Sequence, residues 1–448
     1  SGSMDERGTG SGQKRIDILK GAAEQLVDTL SAESGKMKQV DKPVQIGLVP
    51  FAASVNVGSN NQNASWIDRD GVSPIHHENF DWSSMANSNR RVETIAGVHW
   101  ARGSGWNSIP GWPDLENTRL TRFTLYNNVR RISRQYSFGG RTYSTTSKVL
   151  SWNGCVEARP YPYNVNNAPA SSSTPASLFV PMFAPDEVGN VWTESRDRNG
   201  QRYIATFNSE NSWWDDNTDS TTTTTASHLG RQRSMTKYFE LLPLNRSMPS
   251  SASGPNASCT TKPVTPIVDV SKTDDVTTIK NAINAMEPLG ATNVPEGMAW
   301  GWHILSSGAP FTDGRSETER GNDKVLIVLT DGANTYYTPG SLGKADNANL
   351  KSTYSSVGYA GVDYNGTNTP RIFMNTNVSK SDYSNSNYTA AMNHHFATLC
   401  NNAKEAGLIV MTVALDLKSG TNRDPGNQEQ IDALSACASD SRFRKGED

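Results

Sequence analysis

Apolar residues recur at three- and four-residue spacing over residues 14–32, where Ile16, Leu19, Ala23, Leu26, Val27 and Leu30 are separated by Lys, Glu and Asp. This period predicts an amphipathic helix ending near Ser34-Gly35. Residues 44–51 are aliphatic and β-branched after Pro43 and predict a buried strand. From about 58 to 262 the helical period fades, and Asn, Ser, Thr, Gly and Pro punctuate short aromatic runs. Nine of the eleven tryptophans fall there, at 66, 82, 100, 106, 112, 152, 192, 213 and 214. A stretch so rich in aromatics is not disordered. It predicts a loop-rich, mostly β unit whose tryptophans form its core, with short strands at 177–183 and 202–207 and solvated loops at 171–173 and 221–225.

Regular alternation then returns. Val276, Ile279, Ile283 and Met286 line one face of a helix over 274–286, and 294–305 is a second, with Pro295 in its first turn. Residues 323–330 form an apolar strand of the kind covered on both faces. A polar loop of about 50 residues, a helix at 390–405 stopped by Gly407, a strand at 408–415 and a helix at 428–438 complete the order. Strands alternating with helices predict an α/β fold with a doubly wound, mainly parallel sheet flanked by helices. The expected division is 1–58 and 263–448 as two parts of one domain, interrupted by the Trp-rich insertion 59–262.

Composition narrows the class. Of 448 residues, 42 are Lys or Arg and 45 are Asp or Glu, for a formal net charge of −3. No basic run of the kind that grips phosphate backbones is present, which argues against a dedicated nucleic-acid binder. The apolar runs are far shorter than the roughly 20 residues a membrane helix needs, and no signal-peptide pattern is visible. The chain does not begin with Met and reads as a fragment of a longer protein. Cys155, Cys259, Cys400 and Cys437 lack the close spacing of a zinc site. They are either two disulfides of an exported protein or four thiols of a cytosolic one.

The strongest candidate chemistry is a set of hard oxygen ligands in loops. Ser1-Gly2-Ser3-Met4 opens the chain, Gly290-Ala-Thr292-Asn293 precedes a helix, and Thr330-Asp331-Gly332 closes an apolar strand. Loops at the carboxyl ends of parallel strands converge on the crevice where ligands bind. Two kinds of hydroxyl plus a carboxylate suit Mg²⁺ or Mn²⁺ better than zinc.

In these residues the chain resembles the von Willebrand factor A domain, whose metal-ion-dependent adhesion site reads Asp-x-Ser-x-Ser, then a distant Thr and a distant Asp. Ser1 and Ser3 match the serines, Thr292 the threonine and Asp331 the second aspartate. The first aspartate would stand two residues ahead of Ser1, so it and the strand leading into it are expected upstream. More narrowly, the chain resembles the TadG-like proteins of tight-adherence (Flp) pilus assembly. The matching stretches are Ile46-Gly-Leu-Val-Pro-Phe51 with Val55-Asn-Val57, Trp152-Asn-Gly-Cys-Val-Glu-Ala-Arg159 and Leu178-Phe-Val-Pro-Met-Phe-Ala-Pro-Asp-Glu187. Gly254-Pro-Asn256, Thr292-Asn-Val-Pro-Glu-Gly297 with Trp300-Gly-Trp302, and Leu329-Thr-Asp-Gly-Ala-Asn-Thr335 continue the match.

The resemblance implies a non-enzymatic bacterial envelope protein on the periplasmic or extracellular side, tethered by an upstream inner-membrane helix, with its C-terminal helix cut short. It implies Mg²⁺ or Mn²⁺ on Ser1, Ser3, Thr292 and Asp331, weakened without the first aspartate. The partner would be a pilus or envelope protein offering an acidic residue to the metal. It also raises the disulfide reading, with Cys155–Cys259 and Cys400–Cys437 as the expected pairs among three possible connectivities.

Other motifs point less far. Gln13 breaks the register that Gly8-Thr-Gly-Ser-Gly12 would need as a phosphate loop. Asp68-Arg-Asp70-Gly71 and Asp215-Asp-Asn-Thr-Asp219 lack the full calcium-loop spacing and read as solvated loops. The adjacent pairs His76-His77 and His394-His395 read as surface or packing residues. No nucleophile motif is present. A glycan-binding module built on the tryptophans, and a paired-carboxylate hydrolase, are the alternative readings.

Overall fold

The computed structural model of the chain describes residues 1–8, 10–37, 39–109, 111–188, 190–191, 195–196, 202–203, 206–207, 209–214, 225–242, 253–417 and 426–446. The first amphipathic period becomes the helix Arg15–Ser34. The strand after it is only Gln45–Leu48, because Pro43 and Pro50 bracket it and neither has an N–H for a ladder. It pairs antiparallel with Thr265–Asp269, Gln45 opposite Asp269 and Leu48 opposite Thr265. Val27 of the first helix meets Ile279 and Ile283 of the helix Thr273–Ala285 over this pair, with Ile46, Leu48 and Val268 beneath.

A second layer lies around a three-stranded parallel sheet. Val325–Thr330 runs beside Ile409–Leu415, in register from Val325 opposite Ile409 to Thr330 opposite Ala414. Ile409–Leu415 in turn pairs with Phe443–Gly446. The predicted helix 294–305 stands as Val294–Leu305, capped by the Asn293 side chain accepting from the Glu296 N–H. Asn385–Glu405 and Gly426–Cys437 complete the alternation. Met298, Leu326, Val328, Phe396, Leu399, Val410 and Leu434 form the shared core.

One expectation fails here, and one strand was not foreseen. Strand Val325–Thr330 is covered on one face only, since Leu326 and Val328 are buried while Val325 and Ile327 are 40% and 47% exposed. An unbroken apolar run does not reveal which face is packed. The chain also continues after its last helix into the strand Phe443–Gly446, whose pairing is main-chain and leaves little apolar signature.

The insertion holds the larger core. Trp66, Trp82, Trp106, Trp112, Trp152 and Trp214 are all buried, packed with Phe179, Phe183, Tyr238 and Phe239. The same cluster takes in Val55, Val57, Trp300 and Ile304, so apolar packing crosses the expected boundary near 58. Trp192 and most of the 221–225 run lie outside the described residues. Regular β structure is concentrated in two hairpins that the apolar pattern did not predict, Arg91–Ile95 with Val98–Arg102 and Arg130–Phe138 with Arg141–Lys148. A short helix Arg122–Asn128 was also unforeseen; Thr121 and Thr124 close a capping box at its start. The predicted strand 177–183 shrinks to Val180–Pro181, and 202–207 divides into two two-residue strands with different partners. The loop after Asp331 is packed and not solvated: Tyr336, Tyr354, Tyr359, Ile372 and Phe373 are buried along it. Cysteine pairing is Cys155–Cys259 and Cys400–Cys437.

That packed loop meets a buried carboxyl. Glu187 accepts from the Tyr359 hydroxyl at 2.9 Å and from the Asn211 N–H at 3.1 Å. Burial pushes its pKa from 4.5 up to about 7, against the pull of these hydrogen bonds. A raised carboxyl pKa means that the folded state holds a proton the unfolded chain has released. Its contribution is therefore full below 4.5 and lost as pH rises through 7. Glu187→Gln keeps one acceptor for Asn211 and lets the Tyr359 oxygen accept from the new amide. The variant is expected to lose up to about 3 kcal/mol less than the parent chain across that window. Denaturation midpoints measured at each end of it check this. Equal pH slopes in both proteins would contradict it.

Candidate metal-ion site at the carboxyl edge of the parallel sheet

Asp331 is the first residue past Val325–Thr330, and the Thr330 hydroxyl holds the turn by donating to the Gly332 carbonyl at 2.9 Å. Ser1 and Ser3 arrive from the other end of the chain on the short turn Gly2–Asp5. The Gly2 N–H docks that turn by donating to the Gly290 carbonyl at 2.8 Å. Ser3 Oγ donates to Asp331 Oδ1 at 2.7 Å, Ser1 Oγ donates to the same oxygen at 3.1 Å, and the two hydroxyls are 2.7 Å apart. At Gly332 a Cβ would lie 3.3 Å from Ser3 Oγ, so a side chain there would crowd the serine.

Thr292 is buried beside this cluster, but its backbone hydrogen bonds go to another residue. Its N–H donates to Thr335 Oγ1 at 2.7 Å, and its carbonyl accepts from the Thr335 N–H at 2.8 Å. The Val294 N–H donates to Asn334 Oδ1 at 2.8 Å, which laces the same two loops together. Among the described residues no hydrogen bond joins Thr292 to Ser1, Ser3 or Asp331. The structure thus brings together three of the four predicted residues and sets the fourth on an adjoining, well-braced loop.

Sequence reasoning missed the charges that surround them. Arg15 Nη1 lies 3.4 Å from Asp331 Oδ2 and 3.1 Å from Glu6 Oε2, while Arg15 Nε and Nη2 reach Asp416 Oδ2 at 3.1 and 2.9 Å. Burial works against the Arg15 charge, but Asp416, Asp331 and Glu6 together outweigh it and raise its pKa further. Asp416 follows Ile409–Leu415 just as Asp331 follows Val325–Thr330. An Asp directly after each of two apolar strands was the available signal. Three carboxylates around one guanidinium leave the cluster acidic.

The donor set fits a hard divalent cation. Two hydroxyls and a carboxylate oxygen already lie within hydrogen-bond reach of one another, in an acidic surround. Asp331 Oδ1 is their common point, so a bound cation would compete there with the serine protons. Among the described residues no group of three or more His, Cys, Asp or Glu is placed to hold a metal. Any cation here would rely on hydroxyl oxygens.

The remaining motifs resolve as structural. Asp68 is not solvated; it is buried and accepts from the N–H groups of Gly71, Val72 and Ser73 and from His76 Nδ1, which uses up both oxygens. Asp70 is exposed and pairs with Arg119. Residues 215–219 lie outside the described residues. His395 is buried between the Ile372 carbonyl and Asn164, a packing role.

No protein-family model matches the chain, and no curated protein matches it. Two solved structures of the pilus adhesin SpaC from Lactobacillus rhamnosus GG, one in an open conformation, are similar to part of it at 14% and 13% identity. Each match covers 41% of this chain and 20% of the adhesin, with a TM-score of 0.25. The similarity therefore spans a fifth of the adhesin's length, and a score of that size carries no argument about fold or site. No helix among the described residues is long and apolar enough to cross a membrane. Two disulfides fit an oxidising, extracytoplasmic compartment.

Proposed function

We propose that this chain is a non-enzymatic adhesion or assembly protein of the cell envelope, binding its partner through a divalent cation. The observation that carries this reading is the convergence of the Ser1 and Ser3 hydroxyls on Asp331 Oδ1 across separations of 330 and 328 residues. Ser1, Ser3 and Asp331 would hold Mg²⁺ or Mn²⁺, with Thr292 on the neighbouring loop as the fourth contributor. Such a cation supplies an open position that an acidic side chain of a partner can complete. Arg15 and Asp416 fix the Asp331 carboxylate from its far side. The A-type α/β sheet, and a place in Flp pilus assembly, rest on the sequence resemblance; the parallel strands and their flanking helices are compatible with both. The glycan-binding alternative loses its basis where the tryptophans are buried in the core.

Calorimetric titration with Mg²⁺ and with Mn²⁺ tests the reading, on this chain and on one carrying an aspartate two residues ahead of Ser1. Binding is expected in the extended chain. Asp331→Ala is expected to weaken it at least about tenfold, while Asp416 and Glu6 keep Arg15 paired and the unfolding midpoint nearly unchanged. No heat of binding in the extended chain would reduce the cluster to a hydrogen-bonded brace.

A further inference from the structure

The hairpin Arg130–Phe138 with Arg141–Lys148 is two-faced and, beyond its base, largely exposed. Its base is anchored: the Ile132 N–H donates to the Leu242 carbonyl at 2.9 Å, and the Leu242 N–H to the Arg130 carbonyl at 3.0 Å. From Ser133 outward nearly every residue is exposed. At about 3.4 Å per residue the free part reaches roughly 20 Å. Gly139 and Gly140 turn the tip with φ of +58° and +72°, the conformation a two-residue hairpin loop demands.

Cross-strand pairing sorts the side chains. Phe138 pairs with Arg141, Tyr136 with Tyr143 and Arg134 with Thr145, so these share one face; Gln135, Ser137, Thr142 and Ser144 share the other. The register shift between Ile132 and Arg134 keeps Arg131, opposite Ser147, on the aromatic face. Phe138 is 77% exposed at the tip, and Tyr136 and Tyr143 stack behind it at 48% and 41% exposed. Five cations, Arg130, Arg131, Arg134, Arg141 and Lys148, lie on the hairpin, and no Asp or Glu occurs between Glu116 and Glu157. None of the four arginines has an ion-pair partner among the described residues, in a chain whose net charge is negative.

We propose that this hairpin is a membrane-surface probe that docks on an anionic phospholipid bilayer. The order along the ribbon matches the depth profile of such a surface. Phe138 at the tip enters the acyl boundary, the tyrosines sit at headgroup level, and Arg134 and Arg131 behind them meet the phosphates. Arg141, level with Phe138, extends its long stem back to the same depth. An acidic protein groove would match the charge, but it gives no reason for a lone exposed phenylalanine at the turn.

Co-sedimentation of the full chain with phosphatidylcholine vesicles, and with vesicles of phosphatidylcholine and phosphatidylglycerol, tests this. Binding is expected only to the anionic vesicles and is expected to fall as salt rises. Each basic residue near an anionic surface contributes about fivefold, so the double variant Arg134→Gln/Arg141→Gln should weaken partition roughly twenty-five-fold. Phe138→Ser should weaken it about tenfold. All four cysteines are in disulfides, so Phe138→Cys supplies the one free thiol for an environment-sensitive dye. Its emission should shift to the blue on anionic vesicles. Sedimentation with neither vesicle, equal sedimentation with both, or indifference to these exposed substitutions would overturn the proposal. Capture by polyglutamate without vesicle binding would also overturn it, in favour of an acidic protein partner.

Discussion

Replacing Glu157 with alanine is expected to cost the folded chain about 3–5 kcal/mol, the range for breaking a buried ion pair from one side. Glu157 ends the short strand Cys155–Glu157, with a side chain shut off from solvent. Arg122 donates to one of its oxygens at 2.5 Å, the Tyr354 hydroxyl to the same oxygen at 2.6 Å, and Arg371 to the other. Arg122 also donates to the carbonyls of Ile75, His76 and Pro181, and Arg371 to that of Ala158. Four separate stretches of chain thus meet at one carboxylate.

Without Glu157, Arg371 would keep Glu78 as an ion-pair partner, while buried Arg122 would have none among the described residues. Burial alone would raise the Glu157 pKa, but Arg122 and Arg371 override it and hold the carboxyl below its usual value of 4.5. Its stabilisation is therefore present above that value and lost as pH falls. Glu157→Gln keeps the shape and an acceptor for Tyr354, so an intermediate loss is expected. Denaturant unfolding of both variants near neutral pH measures this. A loss no larger than the ~1 kcal/mol of a surface pair would refute the junction.

Nothing in the sequence singled out that junction. Glu157, Arg122 and Arg371 are far apart along the chain, and each alone reads as an ordinary charged residue. Their meeting depends on how the insertion folds back against the loop after Asp331. Local signals carried better. The helix Arg15–Ser34 and the helix Val294–Leu305 were legible because a 3.6-residue period and a proline in a first turn are local facts. The hairpin at 130–148 was not, because an exposed ribbon carries no buried face to write an alternating pattern. At the candidate site the motif residues Ser1, Ser3 and Asp331 were legible, and their meeting is a geometric result. Arg15 was not, since a charge beside a site has no spacing rule to betray it, and Asp416 offered only its place directly after an apolar strand.

Removing the Cys155–Cys259 disulfide by double substitution to alanine is expected to cost about 4.7 kcal/mol, the loop-closure figure for a cross-link spanning about 100 residues; here the separation is 104. The same change at Cys400–Cys437, separated by 37, should cost close to 1 kcal/mol less by that relation. Both pairs are buried to similar degrees, so the packing lost with sulfur is comparable and the difference isolates loop length. The long bridge closes about the second half of the insertion into one loop, and its effect lies mainly in the unfolded chain. That gives a signature distinct from Glu157→Ala: the freed chain expands further, so the denaturant slope should steepen as the midpoint falls. Cys155 and Glu157 share one three-residue strand, so combining the two changes should depart from additivity. Equal costs for the two bridges, with unchanged slopes, would place their stabilisation in native contacts and remove the loop-length account.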